Sequence, residues 1–385
     1  MTQRPRKRVL FSASAAVHSV CFMPVYKKLA NDPRIEVWFS GGFKTEAEDG
    51  SESYSLEGFY DPFPVDKRRV IPNERALGET FDAFVCAHSS PVFPACGAPI
   101  VQIFHGVSFK NINAREKVLK SDLLCLPGRY HVELYRRQGL IRRGGSTCLL
   151  TGFAKVDSLA QPADRSPFLR SMKLDPRLPT LLFAPTGEKH NALDVMGREV
   201  IEAIDKTRGF NLLVKPHDHP KKKIDWFKEL APLENERIRI VRDFDVVPYL
   251  EAADLLITDA SSVAIEYTLL DRPMIFLDVP NLMQQIAKRS PAADLDTYGR
   301  KIGTVVSGPD MLAEAVREVL AHPDAREQGK YRRAAAAHLF HAPGGAAERV
   351  AAVVRHAAGI EPTLPGDIEV LAPGEAAESA EQRVG

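Results

Sequence analysis

Short apolar runs recur along the chain, each closing on Gly, Pro, Ser, His or Asp. In the first half they are RVLFSAS, IEVWFSG, AFVCAH, PIVQIFH, DLLCLP and TCLLTGF; in the second, PTLLFAPT, FNLLVKPH, RIRIVRD, DLLITDA, PMIFLDV and GTVVS. Runs this short and this continuously apolar predict strands buried on both faces. Between them, VHSVCFMPVYKKLAND, ALDVMGREVIEAIDKTRG and VPYLEAA have helical spacing. The alternation predicts parallel sheets with crossover helices.

At about 100 to 200 residues per domain, 385 residues suggest two domains. Pro, Asp and Ser accumulate between the strand-rich halves, so the expected division is a Rossmann-like domain over 1–160, a linker over 161–178 and a second Rossmann-like domain over 179–345. A helix is expected over 346–360. The Pro-, Gly- and Glu-rich segment 361–385 is expected to be a disordered tail. Two doubly wound domains facing across a cleft would present ligands to the carboxyl ends of their strands. Charge adds one exclusion: 51 basic and 50 acidic residues leave a net +1, which gives no support to a nucleic-acid partner or a general anionic surface. Any anion site must be local. The five cysteines have no CxxC spacing and sit mostly in apolar runs, as in a reduced cytoplasmic protein. The opening MTQRPRKRVLFSASAAVHSV is basic, but its apolar stretch is interrupted by Ser12, Ser14 and His18. It reads as a strand entering a helix, and the protein is expected to stay inside the cell.

The candidate chemistry falls at strand ends. His105 and Gly106 follow PIVQIF; a histidine there suits proton acceptance from an attacking hydroxyl, with a structural turn histidine as the alternative. Lys215, His217 and His219 follow FNLLV and suit a diphosphate. A metal site over His217, Asp218 and His219 is disfavoured, because alternate residues of an extended chain point to opposite faces. After LLFAP, Thr186 and Gly187 offer backbone N–H groups to a phosphate, with Lys189 or His190 nearby. In TDASS, Thr258 to Ser262, a buried strand turns into a helix whose first turn attracts phosphate; Ser261 and Ser262 add hydroxyls, or simply cap the helix. Glu266, one helical turn on, either accepts from ribose hydroxyls or is a solvated helix residue.

Together these segments resemble the CDP-glycerol glycerophosphotransferase family. HGVSFK is similar to its HGT-x-x-K element, GFAKVD (Gly152 to Asp157) to G-x-P-R-x-D, LLFAPT to Y-A-P-T, VKPHDHP to K-x-H-P, and DLLITDASSVAIEYTLLDRPMIFL to the D-x-L-I-T-D-Y-S-S block. The elements occur in the family's order. The resemblance implies an α/β fold of GT-B type and transfer of a polyol phosphate from a CDP-activated donor to a glycan or polyol-phosphate acceptor, lipid-linked acceptors included, with release of CMP in cell-envelope polymer synthesis.

By the same resemblance His105 is the general base. His217, Ser261 and Ser262 surround the diphosphate, with Lys215, Thr186, Thr258 and Glu266 toward the donor; no metal or other cofactor is implied. The implied setting is cytoplasmic, including a peripheral position at the inner face of the cell membrane. The chain departs from the family pattern at Ala260, at Ala154-Lys155, and at Gly187-Glu188, where the family has an aromatic residue and an arginine. A sugar-nucleotide enzyme of the same architecture, a glycosyltransferase or a UDP-N-acetylglucosamine 2-epimerase-like protein, is the alternative.

Overall fold

The computed structural model describes residues 5–46, 49, 51–88, 97–111, 114–142, 145–161, 163–217, 224–290, 293, 300–323 and 326–372. The chain divides into two compact units. One comprises Met1–His105, Asn113–Asp157 and Leu339–Gly385; the other comprises Gly106–Ile112 and Ser158–His338.

In the first unit the apolar runs become β1 (Lys7–Ala13), β2 (Ile35–Gly41), β5 (Ala83–Cys86), β6 (Ile100–Gln102), β7 (Leu123–Leu126) and β8 (Thr147–Leu150). They pair in parallel, β1 running in register with β2 from Lys7 opposite Ile35 to Ala13 opposite Gly41. Val9, Leu10 and Phe11 of β1 are fully buried, and the Phe11 ring packs edge-on to Phe22 of the helix Ala16–Leu29 at 5.1 Å. Without an apolar run, β3 (Phe43–Glu46) and β4 (Glu52–Ser55) form a separate antiparallel hairpin of polar sequence.

The second unit has β9 (Thr180–Phe183), β10 (Asn211–Val214), β11 (Ile238–Ile240), β12 (Leu255–Thr258), β13 (Met274–Leu277) and β14 (Thr304–Val306), all parallel, in the order β11-β10-β9-β12-β13-β14. Every residue of β9, β10, β12 and β13 is buried, as continuous apolar runs require. The helical pattern over 192–209 resolves into two helices, Ala192–Met196 and Glu199–Asp205. The stretch expected as a linker is instead attached to this unit. Arg165 bonds the Ala252 carbonyl at 2.9 Å, Arg239 bonds the Met172 carbonyl at 2.7 Å, and Asn211 bonds the Asp175 carbonyl at 2.8 Å. These hydrogen bonds hold a segment whose composition reads as loose.

The chain then returns to the first unit. The helix Ala346–Ala357 packs against the helix Ala16–Leu29, and β15 (Glu369–Leu371) pairs antiparallel with β8, completing the sheet β15-β8-β7-β6-β5-β1-β2. Residues 361–372 of the expected disordered tail are thus ordered against this unit. Ile368 and Leu371 are buried, and these two apolar groups give the segment a reason to order. Residues 373–385 lie outside the described residues.

Two residues of GFAKVD fasten this return. Asp157 accepts from the backbone N–H groups of Gly344, Ala346 and Ala347 at 3.0, 3.1 and 2.7 Å, capping the C-terminal helix and placing a negative charge at its positive end. Gly152 has φ +89, and a Cβ there would lie 2.5 Å from the His341 carbonyl oxygen and 2.9 Å from Ala346 Cβ; only glycine fits. Asp157→Ala is expected to lower stability by about 1–2 kcal/mol, read as a shift of the urea midpoint at constant slope, with the loss of amide protection concentrated at residues 344–347.

Candidate active site

In the first unit three adjacent strands, β1, β5 and β6, end at the same edge of the sheet, and each is followed by a histidine: His18, His88 and His105. The His18 and His105 rings lie 4.9 Å apart, His18 and His88 5.5 Å, and His88 and His105 6.2 Å. His105 Nδ1 is 2.8 Å from the Ala87 carbonyl oxygen. A carbonyl only accepts, so Nδ1 carries the proton and Nε2 presents a lone pair. The Cys21 thiol, from the first helix, donates to the His105 carbonyl at 3.7 Å. Burial of the ring lowers the His105 pKa from 6.5 to about 4; the Ala87 bond opposes this, while His88 and Lys155 reinforce it. His105 is therefore neutral at neutral pH, with Nε2 unprotonated.

His18 was not singled out by its sequence context, where it is one polar residue within a helical pattern. It is buried, and burial, with His105 and His88 close by, holds its pKa well below the usual value. Lys155, also buried, stands where the family pattern has arginine.

The second unit repeats the device. Strands β10, β9 and β12 are neighbours, and their ends bring together Lys215 and His217, Thr186 to Glu188, and Asp259 to Ser262. Asp259, 1% exposed, organises this edge. One carboxylate oxygen accepts from Thr186 N–H at 2.7 Å and from Ala260 N–H at 2.6 Å; the other accepts from Ala192 N–H at 2.9 Å. Burial raises its pKa against those bonds and the Lys110 charge. The Thr186 N–H, expected to face a phosphate, thus has an internal partner.

Lys110, from the excursion Gly106–Ile112, donates to Thr186 Oγ1 at 3.1 Å and lies 3.5 Å from Glu188 Oε1. Burial lowers its pKa, opposed by Glu188 and Asp259. Glu188 also pairs with Arg289 of the helix Leu282–Arg289. The Gly187-Glu188 departure now has a physical content. A Cβ at Gly187 would lie 2.8 Å from three atoms of the His217 ring, so the imidazole rests directly on that backbone.

Ser262 is the N-terminal flanking residue of the short helix Val263–Tyr267 and makes no side-chain capping bond; its hydroxyl stands 3.7 Å from where a Gly106 Cβ would be. Simple capping therefore does not explain it. Ser261 is 7% exposed. Thr258 and Glu266 differ from expectation. Both are fully buried, and the Thr258 hydroxyl donates to the Ala184 carbonyl at 2.7 Å, so neither offers surface to a nucleotide. Thr258 supports the edge from within. Asp218, His219 and the lysines 221–223 lie outside the described residues. Among the described residues, no cluster of three His, Cys, Asp or Glu side chains is arranged to hold a metal ion.

The sequence model of the CDP-glycerol:poly(glycerophosphate) glycerophosphotransferase family matches residues 98–356. The chain belongs to this family. It is accordingly a transferase of the CDP-glycerol glycerophosphotransferase type, moving glycerol phosphate or a related polyol phosphate from a CDP-activated donor. No curated protein sequence matches the chain.

Among solved structures, the wall teichoic acid polymerase TagF is similar at 17% identity and TM-score 0.66, covering 92% of this chain and 90% of that one. A UDP-N-acetylglucosamine 2-epimerase from Listeria monocytogenes is similar at 16% identity and TM-score 0.59, covering 93% and 97%. The S. aureus MnaA–UDP structure is similar at 14% identity and TM-score 0.56, covering 93% and 99%. At these identities the likeness shows the fold, which is GT-B-like.

Asp259→Asn turns an amide NH₂ toward at least one backbone N–H. A cost of about 1–3 kcal/mol is expected, measured by denaturant unfolding, with hydrogen exchange accelerated first at Thr186 and Ala192.

Proposed function

We propose that this glycerophosphotransferase-family chain transfers glycerol phosphate, or a related polyol phosphate, to a hydroxyl of a glycan or polyol-phosphate acceptor in cell-envelope polymer synthesis. The acceptor oxygen attacks the β-phosphorus of the CDP-activated donor as its proton passes to His105 Nε2. The bond from that phosphorus to the bridging oxygen breaks, and CMP leaves with the electron pair. Lys215 and His217 neutralise the diphosphate, and the Ser261 and Ser262 hydroxyls donate to its oxygens. Fixed donors aimed at developing charge are the main source of acceleration in such transfers.

The observation that supports this reading most is the His105 tautomer. A histidine held by Nδ1 on a backbone carbonyl, neutral and with its other nitrogen unclaimed, is prepared to take one proton. The likeness to the wall teichoic acid polymerase TagF supports the polymer assignment, and a TagF variant soaked with CDPG supports the donor class. The cytoplasmic setting rests on chemistry: Cys21, Cys86, Cys125 and Cys148 are buried free thiols, and burial raises Cys86, Cys125 and Cys148 away from the reactive thiolate. Among the described residues no helix is long and apolar enough to cross a membrane, so a lipid-linked acceptor would be met at the bilayer surface.

Incubation with CDP-glycerol, CDP-ribitol and a set of UDP-sugars, followed by mass spectrometry of the released nucleotide, is expected to show CMP and no UDP; CMP from neither CDP donor would overturn the assignment. His105→Ala is expected to lower turnover by about 10²- to 10⁴-fold. Because its pKa is depressed, His105 stays unprotonated as pH falls past 6.5 and loses its base function only near about 4. The acid limb of kcat/KM, which reports the free enzyme, should lie correspondingly low.

A further inference from the structure

The histidine cluster contains a chemical complementarity that the role proposed for His105 leaves unused. The Ser14 backbone N–H, 3.2 Å from His18 Nδ1, can only donate, so Nδ1 accepts and the neutral ring carries its proton on Nε2. His105 has the opposite tautomer, protonated on Nδ1 by its bond to the Ala87 carbonyl. Each ring is anchored to backbone through Nδ1. Among the described residues neither Nε2 makes a hydrogen bond. His18 thus has an Nε2–H donor to offer, and it lies in a ring 4.9 Å from one that presents a lone pair.

We infer that His18 is a second acceptor-binding group of the transfer reaction, its Nε2–H donating to the same hydroxyl oxygen whose proton passes to His105 Nε2. The inference rests on the proposed base role of His105. The valences of the hydroxyl close: its hydrogen points to His105, one lone pair accepts from His18, and the remaining lone pair forms the new bond to phosphorus. His18 gives up no proton, so the step balances as already written. Fixing the oxygen at two points rather than one orients its nucleophilic lone pair. Other described groups at the cluster are His88, which also acts on the exposed Glu52 carboxylate, the Lys155 ammonium, the Ser14 hydroxyl at 3.4 Å from His18 Nδ1, and the Cys21 thiol on the His105 carbonyl. Among the described residues no carboxylate acts on His18, and its low proton affinity suits a neutral donor that stays neutral.

The test uses the full chain with CDP-glycerol as donor and glycerol 3-phosphate as acceptor probe, and compares His18→Ala, His18→Gln and His18→Phe. The glutamine amide returns an N–H near the position of Nε2; phenylalanine keeps a ring without one. Loss of the hydrogen bond should lower kcat/KM for the acceptor by about 10- to 100-fold in the Ala and Phe variants. Donor affinity by calorimetry should change less than about twofold, and the Gln variant should recover a substantial part of the loss. Unchanged acceptor kinetics in a folded Ala or Phe variant would overturn the inference. Equal losses in Gln and Phe would also overturn it, since they would show packing rather than donation. If Ala fails to fold, the Gln and Phe pair decides. Failure of the underlying reading looks different: His105→Ala would then keep its turnover whatever the His18 variants do.

Discussion

A parallel sheet buried on both faces sends every strand out of the core at the same edge, and the rest of this structure depends on that constraint. The strands themselves are apolar, so the first positions where polar side chains are tolerated are the residues just beyond their carboxyl ends. His18, His88 and His105 follow three neighbouring strands in one unit. Lys215 with His217, Thr186 with Glu188, and Asp259 with Ser262 follow three neighbouring strands in the other. Chemistry collects there because hydrophobic burial forbids it elsewhere.

The conspicuous motifs divide their labour between scaffold and chemistry in a way their letters do not announce. In GFAKVD, Gly152 and Asp157 secure the C-terminal helix, which leaves Lys155 to face the histidines. In TDASS, Thr258 and Asp259 stitch β12 to the turn after β9, which leaves the two serines. A short polar motif at a strand end contains both the residues that shape the turn and those the turn displays. Asp259, with three backbone donors and almost no exposed surface, belongs to the first kind.

The strands were legible because four or more consecutive apolar residues between turn formers have few other solutions, and His105 and His217 were legible because they stand immediately after such runs. The remaining features were hidden for definite physical reasons. His18 lies in a helical stretch, where a polar residue is unremarkable until the sheet sets β1 beside β5; in the sequence β2, β3 and β4 separate them. Lys110 is part of HGVSFK, yet its partners Thr186 and Glu188 lie 76 residues or more away. β15 consists of three residues in a Pro- and Gly-rich segment, and only pairing with β8 makes them a strand. The linker looked loose because its anchors, Arg239 and Asn211, are contributed from distant sequence.

The first unit is built from three stretches of chain and closes only with Glu369–Leu371, whereas the described core of the second is complete by His338. On a ribosome the order of completion is therefore inverted relative to the order of synthesis. The second unit can reach its native contacts while the first still lacks the helix that packs on Ala16–Leu29 and the strand that covers the open edge of β8. Until then that edge presents unpaired backbone groups, a hazard for misassembly during translation.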